Sequence, residues 1–158
     1  MSKMQALLDE YGESHQNSTN KLIHWICVPI IFFSIVGLFW SIPNKTLVEV
    51  LGNTWYSNWA AVLLLLILIY YITLSFSLSV GMAGFGLFCL YIANSLGTAE
   101  LPPLWLISIV MFVLAWMGQF YGHHVEGKKP SFFKDLQFLL VGPAWLMHFI
   151  YKKIGIPY

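Results

Sequence analysis

With 158 residues, 58% hydrophobic and only 9% charged, and a mean hydropathy of +0.71, the chain is too apolar for a soluble domain, where about a quarter of residues carry charge. A formal net charge of +1 gives no electrostatic reason to expect a nucleic-acid partner. All 8 basic residues are lysine, so no guanidinium clamp on phosphate or carboxylate is available. These bounds predict an all-α integral membrane helical bundle, one domain over 1–158.

In chain order, the stretch 3–13 (KMQALLDEYGE) is predicted to be a short amphipathic helix lying on the surface, with Leu7, Leu8 and Tyr11 apolar. The N-terminal region lacks a short apolar core followed by a small-residue cleavage site, so the first span is expected to act as the signal anchor. Four segments have the roughly 20 apolar residues that a bilayer crossing requires. They are 22–41, which contains Pro29; 59–80; 81–98, which opens on Gly81, Gly84 and Gly86; and 103–122. The second and third abut with no charge between them, as in a tight helical hairpin. A fifth segment, 136–151, is interrupted by Gly142-Pro143 and reads as re-entrant or interfacial.

Lysine placement then sets the topology. With both termini cytoplasmic, Lys3, Lys21, Lys128, Lys129, Lys134, Lys152 and Lys153 share one side and only Lys45 lies opposite, as the positive-inside rule prefers. The expected location is a multi-pass protein of a bacterial inner membrane or the endoplasmic reticulum. Cys27 and Cys89 both fall in apolar runs and read as buried thiols that pack like small apolar residues.

Polar, titratable residues gather at two helix ends. In HQNSTNKLIH, residues 15–24, Asn17, Asn20 and His24 are spaced i, i+3, i+7 and fall on one helical stripe. His15 lies half a turn away from His24 on a continuous helix. The two can share a metal only if the chain breaks near 16–18, where Asn17, Ser18 and Thr19 are good N-caps. In WMGQFYGHHVEG, Trp116, Gln119, His123 and Glu126 make a second stripe, while His124 points about 100° away from it.

Neutral imidazoles suit iron, zinc and copper, and two or three of them with one carboxylate suit non-haem Fe(II). Candidate metal ligands are therefore His15, His24 and His123, with Glu126 and His124 as further members. Asn17, Asn20 and Gln119 would orient them. The bland alternatives are a solvated loop histidine at 15, a hydrogen-bonded core histidine at 24 and a solvated helix cap at 123–126. His148 is the fifth histidine and is expected on the same side of the membrane.

Two series of residues resemble a known family. The first is Tyr11, His15, Asn20, His24 and Pro29; the second is Gln119-Phe120, Gly122-His123, Glu126-Gly127, Pro130 and the turn Leu140-Val141-Gly142-Pro143. Together they are similar to the small membrane-embedded 2-hydroxy fatty acid dioxygenases of fatty-acid α-oxidation, along most of the chain. The resemblance implies an Fe(2+)-dependent enzyme that uses O2, without 2-oxoglutarate, to shorten a 2-hydroxy fatty acid by one carbon. It implies catalytic roles for His15, His24 and His123, an acyl tail between apolar helices, and lysines such as Lys128, Lys129 or Lys21 attracting the carboxylate. Competing readings are a non-catalytic membrane scaffold or lipid-binding protein and a b-type haem protein. A membrane di-iron desaturase is disfavoured by the absence of HxxxH and HxxHH boxes, and an ion-coupled transporter by the absence of acids within the spans.

Overall fold

Asn17 starts the helix around which the others are arranged. In the computed structural model, which describes residues 3–99, 102–127 and 138–158, its side chain accepts hydrogen bonds from the Thr19 and Asn20 amides. Seven helices and no strand occur among the described residues. They are α1 (Lys3–Gly12), α2 (Ser18–Trp40), α3 (Lys45–Leu51), α4 (Trp59–Leu74), α5 (Phe76–Gly97), α6 (Leu104–Glu126) and α7 (Val141–Ile154).

Helix α2 packs against α6 through small residues. A Cβ added at Gly118 would lie 2.7 Å from Cys27 Sγ, one at Gly122 would lie 2.4 Å from Asn20 Oδ1, and one at Gly37 would lie 2.2 Å from Ser108 Oγ. The start of α2 therefore meets the end of α6, and the two run antiparallel at a separation that only glycine permits. On its other flank α2 packs against α4 and α5, with Phe32 against Phe85 at a ring separation of 5.1 Å. Large apolar side chains such as Leu66, Phe88, Leu114 and Met117 are exposed on the outside, as expected of a surface solvated by lipid tails.

Among the described residues three helices, not four, are long and apolar enough to cross a membrane: α2, α5 and α6. The expected span 59–80 stops early. Ser75 adopts an extended conformation (φ −161°, ψ 116°) that ends α4 after 16 residues, and its hydroxyl caps α5 by accepting from the Leu78 amide. Sixteen residues rise about 24 Å, short of the roughly 30 Å apolar core of a bilayer. The third span accordingly begins at Phe76 instead of residue 81. Serine in an apolar run reads as an ordinary helix residue until its backbone turns.

The expected break at Gly142-Pro143 is also corrected. Pro143 is the third residue of α7, where a helix has no intrahelical acceptor for the missing N–H, so the pair opens a helix instead of dividing one. Residues 136–137 of that segment lie outside the described residues. The N-terminal helix forms as predicted but is not spread on the surface. Met4, Leu8 and Tyr11 are buried, packed with Ala144 and Trp145 of α7 in one apolar cluster. Two tyrosines fasten α7 and its approach to the bundle. Tyr71 donates to the Leu140 carbonyl at 2.5 Å, and Tyr151 donates to the Ser77 carbonyl at 2.9 Å.

Candidate metal centre

The chain does break where a shared metal requires it. Helix α1 ends at Gly12 and α2 starts at Ser18, so His15 sits in the intervening turn and folds over the first turn of α2. Its Nδ1 lies 2.6 Å from the Tyr11 carbonyl, and its ring stacks on the Tyr11 ring at 4.2 Å and 15°. His24, nearly two turns into α2, places Nδ1 2.9 Å from the Asn20 carbonyl. A carbonyl oxygen only accepts, so Nδ1 carries the proton in both rings. In the neutral imidazoles Nε2 is then the atom with a lone pair for a metal.

His123 comes from the last turn of α6, which Gly127 closes in the left-handed conformation at φ +74°. The three rings converge. Centroids are 4.1 Å apart for His15 and His24, 5.1 Å for His24 and His123, and 5.3 Å for His15 and His123. One ligating atom from each lies within 4.8 Å of the others. Nitrogens bound to one ion at about 2.1 Å sit roughly 3–3.4 Å apart, so the rings would draw inward to share one. The residues present fit a metal. All three are shielded from solvent, at 2%, 1% and 4% exposure.

Glu126 and Asn20 lock the two helix ends together. The Glu126 carboxylate accepts from the Gln16 amide (2.9 Å), the Asn17 amide (2.9 Å) and Asn20 Nδ2 (3.1 Å). Asn20 Nδ2 also donates to the Ser14 carbonyl at 3.2 Å. A single carboxylate at the end of α6 thus satisfies orphan donors at the start of α2 and grips the turn that carries His15.

Of the predicted residues, the structure brings together His15, His24 and His123. Asn17 caps α2, Asn20 is buried in the clamp, and Gln119 is buried one turn below His123. Glu126 is outside the converging set, with both carboxylate oxygens engaged by the α1–α2 turn and Asn20. His124 is exposed, as its 100° offset predicts. His148 lies on α7, paired through Nδ1 with the Tyr158 hydroxyl and not in the set. Lys128 and Lys129 lie outside the described residues, and Lys21 is half-buried near the start of α2.

One wall of the site carries no sequence signal. Trp145 packs on His15 at 5.4 Å and on Tyr11 at 5.4 Å, yet nothing distinguishes it within an apolar run until α7 folds against α1. Tyr11 is four residues before His15, a spacing that does suggest contact.

The sequence profile of a family described as "2-hydroxy-palmitic acid dioxygenase Mpo1-like" matches residues 1–154. The chain belongs to this family. The match covers all three imidazoles, the Glu126 clamp and α7. Comparison with curated proteins and with solved structures gives no match.

Proposed function

We propose that the protein is an Fe(II)-dependent dioxygenase of the membrane that shortens 2-hydroxy fatty acids by one carbon with O2. The observation that carries this reading is the convergence of three buried imidazoles from residues far apart in the chain, within a family named for that activity. His15, His24 and His123 would hold the metal, with the Tyr11 and Asn20 carbonyls fixing the tautomers of the first two. Iron, when bound, would supply the positive charge for a hydroxy-carboxylate head and the redox chemistry that O2 requires. The protein's own contributions are to orient the imidazoles through Glu126 and Asn20, to exclude water with Tyr11 and Trp145, and to seat the substrate head beside Gln119. Lys21, together with Lys128 and Lys129 beyond the described residues, would draw that carboxylate towards the site.

The topology fits the same reading. Helices α1 and α7 pack together at the end that holds the histidines, and Lys21, Lys152 and Lys153 belong to that end while Lys45 starts α3 beyond the far end of α2. This distribution supports a cytoplasmic site with both termini on that side.

The test is anaerobic purification, iron quantification and product analysis with 2-hydroxyhexadecanoate under air. Expected are stoichiometric iron and an O2-dependent acid product one carbon shorter. Full turnover by metal-free protein, or a haem absorption band in place of non-haem iron, overturns the proposal.

A further inference from the structure

The proposed reaction leaves open where a long acyl tail lies. One stripe of α2 leads away from the metal centre: His24, Val28, Ile31 and Ile35 are spaced i, i+4, i+7, i+11, and the stripe descends about 16 Å into the bundle. Beside its upper part, Val28 and Ile31 line a narrow crevice with Tyr11, Trp116, Gln119 and Leu139. Leu139 also lines a cleft of about 310 Å³ between α2 and α4, whose other walls include Phe32, Ile35, Leu63, Ile67 and Leu140. Phe32 and Ile67 in turn separate this cleft from a further cavity of about 230 Å³ between α4 and α5, which ends at Trp55 and Tyr56.

We infer that the acyl tail leaves the histidines past Leu139, lies in the α2–α4 cleft, and meets Phe32 and Ile67 as the wall that sets chain length. This rests on the proposed reaction for the identity of the head group. Every cleft side chain named above is apolar, so no group there can pair a carboxylate, and only one orientation satisfies both ends of the substrate. A further groove, at Trp25, Pro29, Phe85 and Met147, shares no lining residue with the crevice. Removing methylenes from the tail is expected to weaken binding about fourfold for each one that would have been buried.

The experiment uses the full chain in detergent micelles and a 2-hydroxyhexadecanoate carrying a diazirine near its methyl end. Cross-links mapped by mass spectrometry are expected on α4 around Leu63 and Ile67 and to be suppressed by unlabelled 2-hydroxyhexadecanoate. Cross-links concentrated around Trp25 and Met147, or insensitive to competitor, overturn the inference. In turnover, Leu63→Trp should lower kcat/KM for 2-hydroxyhexadecanoate about tenfold and for 2-hydroxydecanoate less than about twofold, by occupying the cleft. Ile67→Ala should shift preference towards longer acids by joining the two spaces. Equal loss for both chain lengths in Leu63→Trp, with iron retained, counts against the cleft. Competed cross-links at Leu63 and Ile67 without any O2-dependent product leave the tail site standing and remove the proposed reaction instead.

Discussion

The α2–α6 pair and the α4–α5 pair are both antiparallel apolar helices, yet they are built on different principles. The first is drawn close by Gly118, Gly122 and Gly37, and at one end it carries two of the three imidazoles and the Glu126–Asn20 clamp. In the second, Leu64 rests on Gly86 less tightly, with an added Cβ 3.1 Å from the end of the Leu64 side chain, and beside them a cavity of about 230 Å³ remains. Metal ligands tolerate errors of only a few tenths of an ångström, which rigid, close-packed backbones can guarantee. A flexible hydrocarbon tail asks only for apolar volume. The tight pair thus holds His24 and His123, and the tail inferred above lies in the α2–α4 cleft, across Phe32 and Ile67 from the cavity of the looser pair.

The hardest break in the comparison removes an imidazole from the tight pair. His24→Ala and His123→Ala should each lower iron content and turnover at least a hundredfold, read by iron quantification after anaerobic purification and by product formation. Either variant with normal iron and rate would detach the histidines from the chemistry.

Next in size is the packing itself. Gly122→Ala presses a methyl group into Asn20 Oδ1 at 2.4 Å, whereas Gly84, on α5, has nothing within 4 Å. The Gly122 change should destabilise the protein by about 1–3 kcal/mol in thermal unfolding, as overpacking does. Gly84→Ala should be neutral or slightly stabilising, by up to about 1 kcal/mol from helix propensity. Equal effects at the two glycines would remove the close approach at Gly122 as a source of stability.

A smaller change is expected from the clamp. Glu126→Gln keeps the shape but turns one acceptor oxygen into a donor facing N–H groups, and should weaken metal affinity about tenfold in a competition titration. A hundredfold or greater loss with intact folding would favour direct ligation by Glu126. The smallest effect belongs to exposed His124, whose replacement by Ala should change stability by less than about 0.5 kcal/mol and leave iron content unaltered.

Much of this was legible in residue order. Asn17 as one of three candidate caps and the stripe Trp116, Gln119, His123, Glu126 follow from side-chain chemistry and a 3.6-residue period, the break near 16–18 is what a shared metal requires, and the structure has each of them. Hydropathy located the long helices but misplaced their ends. Ser75 is as compatible with a helix interior as with a cap, and Pro143 blocks a helix only when it is not in the first turn. The role of Glu126 was half visible: its position on the stripe is a matter of spacing, but its partners lie more than 100 residues away.

Amino-acid order alone therefore specified the apolar, helical class of the chain, the identity of the histidines and which face of its own helix His24 and His123 each occupy. These depend on composition and on the local period of a helix. Folding decided that imidazoles from the second turn of α2, the last turn of α6 and the turn before α2 point at one another. It also decided that Trp145 covers them and that a cleft opens beyond Leu139. Distances between segments arise from how glycines and bulky residues on separate helices fit against each other, and no local rule contains that information.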